Sequence, residues 1–258
     1  MSAVAAPGLG QDICEYALRL GDDALVLSHR LAEWAARAPE LEEDVALANL
    51  ALDLLGQART LLTYAGEVEG LGRTEDDLAY WRDDRQYRNL LLVEQPNGDF
   101  AMTMVRHLLF STYQLLLYEA LTESTDATLS GVAAKGAKEA RYHRDHAALW
   151  ILRLGDGTPE SHQRTELALD TLWPFTAELF EDDDIGVRLA DQGVARMASA
   201  LRASWTDFIQ GTLDAATLQL PDSRSRRSGG RRGFHSEHLG HLLAEMQHLH
   251  RSHPDASW

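Results

Sequence analysis

Glu139, His143 and His146 are the residues in this chain whose type and spacing most suggest chemistry. They lie in Glu139-Ala-Arg-Tyr-His143-Arg-Asp-His146, inside a helical pattern running from about Asp126 to Leu154. Apolar or small residues recur there at Leu129, Ala133, Gly136, Ala140, Ala147, Trp150 and Leu154, and His143 fills the gap in that stripe. Separations of four and three residues project all three side chains from one side of a helix. Carboxylate and imidazole at such spacing is how helical bundles assemble di-iron centres, which need about four carboxylates and two histidines facing inward.

The remaining helices must supply the other ligands, and the donors fall short. Glu40–Tyr64 reads as an alanine- and leucine-rich helix. Leu41, Val45, Ala48, Leu52 and Leu55 form one stripe, while Leu47, Leu50 and Leu54 crowd the rest. Its polar row is Asn49, Asp53 and Gln57, with no histidine three or four residues beyond Asp53. A helix from about Asp99 to Thr122 carries the sparse row His107, Ser111, Gln114 and Tyr118, and its Glu119 lies off that row. The first helix, Asp12–Arg37, has a possible break at Gly21-Asp22 and offers Ser28, His29 and Glu33. Asn49, Asp53, Glu139 and His143, with His146 nearby, are therefore expected to form a buried hydrogen-bonded network at degenerate di-iron positions, with no metal, because buried polar groups must be paired. An independent di-metal carboxylate oxidase using Glu139, His143 and Asp53 stays open beside that reading, as does a storage or assembly protein without redox partners.

The elements around these residues predict an all-α fold. The long connection from about Glu67 to Gln95 suits a ferritin-like four-helix bundle with a crossover between helices two and three. Further helices are expected at Ser161–Phe180, Val194–Gln219 and Ser236–His250, giving a single domain with a bundle over about 12–154 and a C-terminal helical extension over about 159–258. Glu245-Met-Gln-His248 sits in the last, histidine-rich segment, where a structural or interface helix is the expectation. Pro221–Gly233 holds five arginines between Arg224 and Arg232 and reads as a solvated loop, open to phosphate groups or an acidic partner.

Composition narrows the functional classes. The 258 residues are 45% hydrophobic and 25% charged, with a net charge of −16 and one cysteine, Cys14. That balance speaks against nucleic-acid binding, and one cysteine rules out an internal disulfide or a cysteine-based cluster. Met1–Leu20 lacks the pattern of a secretory signal, and no apolar run is expected to approach the roughly 20 residues of a membrane span, so the expected compartment is the cytoplasm. No P-loop, nucleophile elbow or dinucleotide fingerprint is present.

Several longer motifs carry a family resemblance. They are Leu-Gly-Asp-Asp (Leu20–Asp23), Ala-Pro-Glu-Leu-Glu-Glu-Asp (Ala38–Asp44), Leu-Asp-Leu-Leu-Gly-Gln-Ala-Arg (Leu52–Arg59) and Leu-Leu-Val-Glu-Gln-Pro-Asn-Gly-Asp-Phe (Leu91–Phe100). Lys138–His143, Arg153–Thr158, and His235–Gly240 followed by Leu242–Gln247 complete the set. Together they resemble the C-subunit family of the bacterial phenylacetyl-CoA 1,2-epoxidase, over nearly the whole chain. The resemblance implies a ferritin-like structural subunit that binds no cofactor of its own. It implies a hetero-oligomer whose homologous A subunit holds the di-iron centre and epoxidises the aromatic ring with dioxygen. It further implies a reductase with FAD and an iron-sulfur cluster that passes electrons from NADPH.

Overall fold

The computed structural model describes residues 8–254 and residue 256, and no strand occurs among them. In chain order the helices are α1 (Leu9–Ala32), α2 (Leu41–Glu69), α3 (Glu75–Tyr80), α4 (Leu91–Glu94), α5 (Phe100–Leu121), α6 (Ala127–Gly155), α7 (Pro159–Leu172), α8 (Asp184–Asp191), α9 (Arg202–Ala215) and α10 (Glu237–Ser252). α1 packs along α2 and α5 along α6, and α2 meets α6 to join the two pairs. The connection through α3 and α4 is the expected crossover, and the architecture is the ferritin-like bundle. α7 and α9 cover α5 and α6, while α10 reaches back to α3 and α1.

Local chemistry sets the helix ends. Asp99 Oδ1 accepts the amide of Met102 at 2.9 Å to start α5, and Asp126 does the same for Leu129 at 2.9 Å to start α6. α2 runs past the expected Tyr64 to Glu69 and stops at Gly70, whose φ of 71° is the left-handed region that glycine enters freely. α1 ends earlier than expected, at Ala32, and a turn through Ala36 (φ 61°) precedes α2. The Gly21-Asp22 pair does not break α1. A side chain at Gly21 would come within 2.9 Å of Leu62, so this glycine lets α1 and α2 approach closely. Gly136 does the same for α5 and α6, because a Cβ there would stand 2.5 Å from the Tyr118 ring. Pro174 turns the end of the expected Ser161–Phe180 helix into a 3-10 segment, Trp173–Phe180. α8 was not foreseen, and α9 begins eight residues later than the expected Val194 start.

α2 is apolar on two opposite faces. Leu47, Leu50, Leu54, Ala58, Leu61 and Leu62 are buried against the rest of the bundle. The stripe Leu41, Val45, Leu52 and Leu55 instead faces outward, with Leu41 76% and Leu52 63% exposed. This double face makes α2 long and apolar enough to cross a membrane by length and composition, contrary to the expectation that no segment would be. Under half of the apolar window, 44%, is buried within the bundle.

Four carboxylates buried between α1, α4 and the 3-10 segment tie the crossover and the C-terminal loop to the bundle. Asp22 pairs with the Arg82 guanidinium, one contact measuring 2.9 Å, and accepts the Arg88 amide at 2.8 Å. Asp23 accepts the Leu90 amide at 2.7 Å and pairs with Arg231 at 2.7 Å. Glu178 accepts the amides of Leu91 at 2.7 Å and of Gly229 and Gly230 at 2.8 Å each. Glu94 accepts from Asn89 at 2.9 Å, from the Ser236 amide at 2.6 Å, and from His235 at 2.7 Å. The arginine-rich loop is therefore not wholly solvated as expected. Arg224, Arg226 and Arg227 are exposed, but Arg231 turns inward to Asp23, which with Glu178 pulls its segment down.

His235 lies between two acceptors, the Glu94 carboxylate and the Tyr87 carbonyl at 3.1 Å, so both ring nitrogens must donate and the ring is an imidazolium. Burial works to lower its pKa, but the hydrogen bond and charge of Glu94 outweigh it and raise the pKa above the usual histidine value. A histidine whose pKa is raised on folding adds stability in full below about pH 6.5, and loses it as pH climbs through the folded value. The urea midpoint should therefore fall as pH rises from 6.5 towards 9, and His235→Gln should flatten that fall. A parent midpoint that stays constant over this range would show the pair to be uncharged.

Candidate functional site

The chemistry-bearing residues meet where α2, α5 and α6 face one another. His143 is fully buried, with Nε2 3.2 Å from Asp53 Oδ2, whose carboxylate accepts and so holds the ring proton on that nitrogen. His146 Nε2 lies 2.9 Å from Glu43 Oε2, and both side chains are nearly buried. One turn further along, Gln57 sits at the centre of a second cluster. Its amide nitrogen donates to Glu139 Oε2 at 2.8 Å, and its oxygen accepts from Gln114 and from the Tyr118 hydroxyl at 3.0 Å each. Lys135 closes the outer side of Glu139 at 3.4 Å. Burial raises the Tyr118 pKa, so its hydroxyl keeps the proton it donates.

His107 of α5 stacks obliquely on His143 with ring centroids 5.3 Å apart. Burial, then the nearby His143, His146 and Arg106, push its pKa far below the ordinary value, so the ring is neutral. Neither of its nitrogens has a protein partner, nor do Nδ1 of His143 and of His146 or Oε1 of Gln114.

Of the expected network, Asp53, His143, Glu139 and His146 do come to this region, but as separate pairs. Asn49 does not join them and is exposed. The cause is helical drift: each step of four residues advances about 40° around an α-helix. The row Asn49, Asp53, Gln57 thus passes from solvent, through a half-exposed carboxylate, to a buried amide. The members that sequence reasoning left out of the network, Gln57, Gln114, Tyr118 and His107, all lay in the two polar rows already visible on α2 and α5. Glu43 gave no such signal, because it stands among the acidic residues that open α2.

The donor set does not fit a di-iron centre. Among the described residues no three His, Cys, Asp or Glu side chains converge in a way that could hold a metal. Asp53 and Glu43 are directed to histidine Nε2 atoms, and Glu139 to an amide and a lysine, so each of these carboxylates is already engaged by a partner within the chain. Glu139, His143 and Asp53, the trio required by an independent di-metal oxidase, do not share one coordination sphere. The literal Glu-x-x-His of α10 is no better, since Glu245 and His248 are both exposed.

The family described as phenylacetic acid catabolic protein matches residues 5–258. The chain is also similar to the C subunit of the 1,2-phenylacetyl-CoA epoxidase of Escherichia coli (strain K12), at 50% identity over 243 residues. That alignment covers 94% of this chain and 98% of the relative.

Gln57→Ala should leave Glu139, Gln114 and Tyr118 without a shared partner and cost about 1–3 kcal/mol in urea unfolding. Asn49→Ala, four residues before Asp53 but in solvent, should stay within about 0.5 kcal/mol of the parent. Equal destabilisation by the two changes would place Asn49 inside the network after all.

Proposed function

The chain belongs to the phenylacetic acid catabolic protein family, and on that footing we propose that it is the non-catalytic, structural C-type subunit of a phenylacetyl-CoA 1,2-epoxidase complex in aerobic phenylacetate degradation. The observation that carries this reading is Gln57. Its amide occupies the centre of the bundle and ties Glu139, Gln114 and Tyr118 together where an oxygen-activating bundle would need open carboxylates. An amide cannot offer the anionic charge that stabilises paired ferrous or ferric ions, and here its oxygen is already taken by two donors. The hydrogen bonds of Gln57 link α2, α5 and α6 without supplying chemistry of their own.

In this reading the iron lies in a homologous A subunit, which epoxidises the ring of phenylacetyl-CoA and needs this chain for stability or activity. Electrons reach that subunit from NADPH through a reductase carrying FAD and an iron-sulfur cluster, and the assembly works in the cytoplasm. The relative's name, an epoxidase subunit, supports membership of a multi-subunit enzyme.

Two measurements test the proposal. Elemental analysis of the purified chain after growth in iron-supplemented medium should find no stoichiometric iron. Two irons per chain, lost on Glu139→Ala or His143→Ala, would overturn the structural role. The A subunit with its reductase should epoxidise phenylacetyl-CoA poorly until this chain is added. A full rate without it would end the proposal.

A further inference from the structure

We infer that the cavity walled by α1, α5, α8, the Trp173–Phe180 segment and the loop before α10 is a binding site for a small uncharged aromatic molecule carrying one oxygen. The inference stands apart from the subunit role proposed above. The cavity measures about 150 Å³, a size that accommodates a single benzene ring. Tyr16 and Leu20 of α1, Tyr113 and Leu117 of α5, and Leu179 supply its apolar walls, and all five are buried. Phe180 meets Tyr113 edge-on with ring centroids 6.0 Å apart, which braces the Tyr113 ring as one side of a slot.

The polar groups of the wall decide what such a ring must carry. Tyr16 is only 9% exposed, and its hydroxyl makes no hydrogen bond among the described residues. The groups that act on it most, Tyr113, Arg231 and Arg19, all line the cavity, so the hydroxyl is directed into it. A buried hydroxyl without a partner is costly, and an oxygen on the occupant would accept its proton. The buried ions of the wall, by contrast, are already matched. Arg19 is held by Asp183 at 2.6 Å, Arg231 by Asp23 at 2.7 Å, and Glu178 by three backbone amides. At the mouth, the exposed Arg196 and Arg232 are offset by the exposed Glu181 and Asp182. A charged ligand would enter with no free counter-ion, at a desolvation cost that a neutral one avoids. Water would satisfy the Tyr16 hydroxyl but would leave three leucines and two ring faces wetted.

The test is an NMR chemical-shift titration of the full chain at neutral pH with phenol, benzene and benzoate. Phenol should bind at one site with a dissociation constant of about 0.1–1 mM, and benzene about 3–10-fold more weakly. Benzoate, similar in size but charged, should bind about tenfold or more below phenol. Tyr16→Phe removes one oxygen and should weaken phenol by about 3–10-fold while leaving benzene unchanged. Leu117→Phe places a ring in the cavity and should abolish the binding of both. Tyr16→Phe adds no volume, so the test stands even where Leu117→Phe does not fold. A parent whose spectrum phenol leaves unchanged would overturn the site. So would benzoate that binds as tightly as phenol, phenol that binds parent and Tyr16→Phe alike, or a folded Leu117→Phe that keeps the parent affinity.

Discussion

The structure depends on the neutralisation of four buried carboxylates, Asp22, Asp23, Glu94 and Glu178. A charge taken out of water costs several kcal/mol unless donors surround it, so each of these groups dictates where its donors must lie. The donors come from segments with little regular structure: Arg82, Arg88, Asn89 and the amides of Leu90 and Leu91 in the crossover, and Gly229, Gly230, Arg231, His235 and Ser236 before α10. Burial, with a smaller push from the Asp22 charge, outweighs Arg231 and the Leu90 amide and lifts the Asp23 carboxyl to about 6. The crossover and the C-terminal loop, far apart in sequence, are thereby fixed to the same stretch of α1.

That junction explains how a connection of some thirty residues can span the bundle with only short helices in it. Backbone amides that would otherwise need helix or sheet partners are satisfied by side-chain carboxylates of the neighbouring elements. Gly230 packs so closely that a Cβ would stand 2.0 Å from the Asn89 carbonyl, which keeps the loop and the crossover in direct backbone contact. With the crossover held in this way, α5 enters the bundle at the angle that brings His107, Gln114 and Tyr118 to α2 and α6.

The fold was legible from the sequence because hydrophobic period and connection length suffice for a crossed-over helical bundle. The polar centre was legible as rows of residues but not as a set of partners. A spacing of four gives the side of a helix, whereas membership of a network depends on the 40° drift that exposes Asn49 and buries Gln57. The two faces of α2 were both visible, yet which faced the core was not, since Leu41, Val45, Leu52 and Leu55 are as apolar as Leu47, Leu50 and Leu54. The carboxylate junction was hidden for another reason. Asp22, Asp23 and Glu94 lie in the motifs Leu20–Asp23 and Leu91–Phe100 that carried the family resemblance, but their partners are up to about two hundred residues away, and no local pattern gives that pairing.

The polar centre is stable as it stands because its members hold one another in place. Exchanging Gln57 alone for an apolar residue would strand Glu139, Gln114 and Tyr118, while exchanging all four at once would leave a volume that new side chains must fill at native density. Each single step away from the network therefore destabilises, although a fully apolar core could be equally stable. The outer rim behaves differently. Asp53 still reaches solvent beside the exposed stripe of α2, so its pairing with His143 is weakened by water.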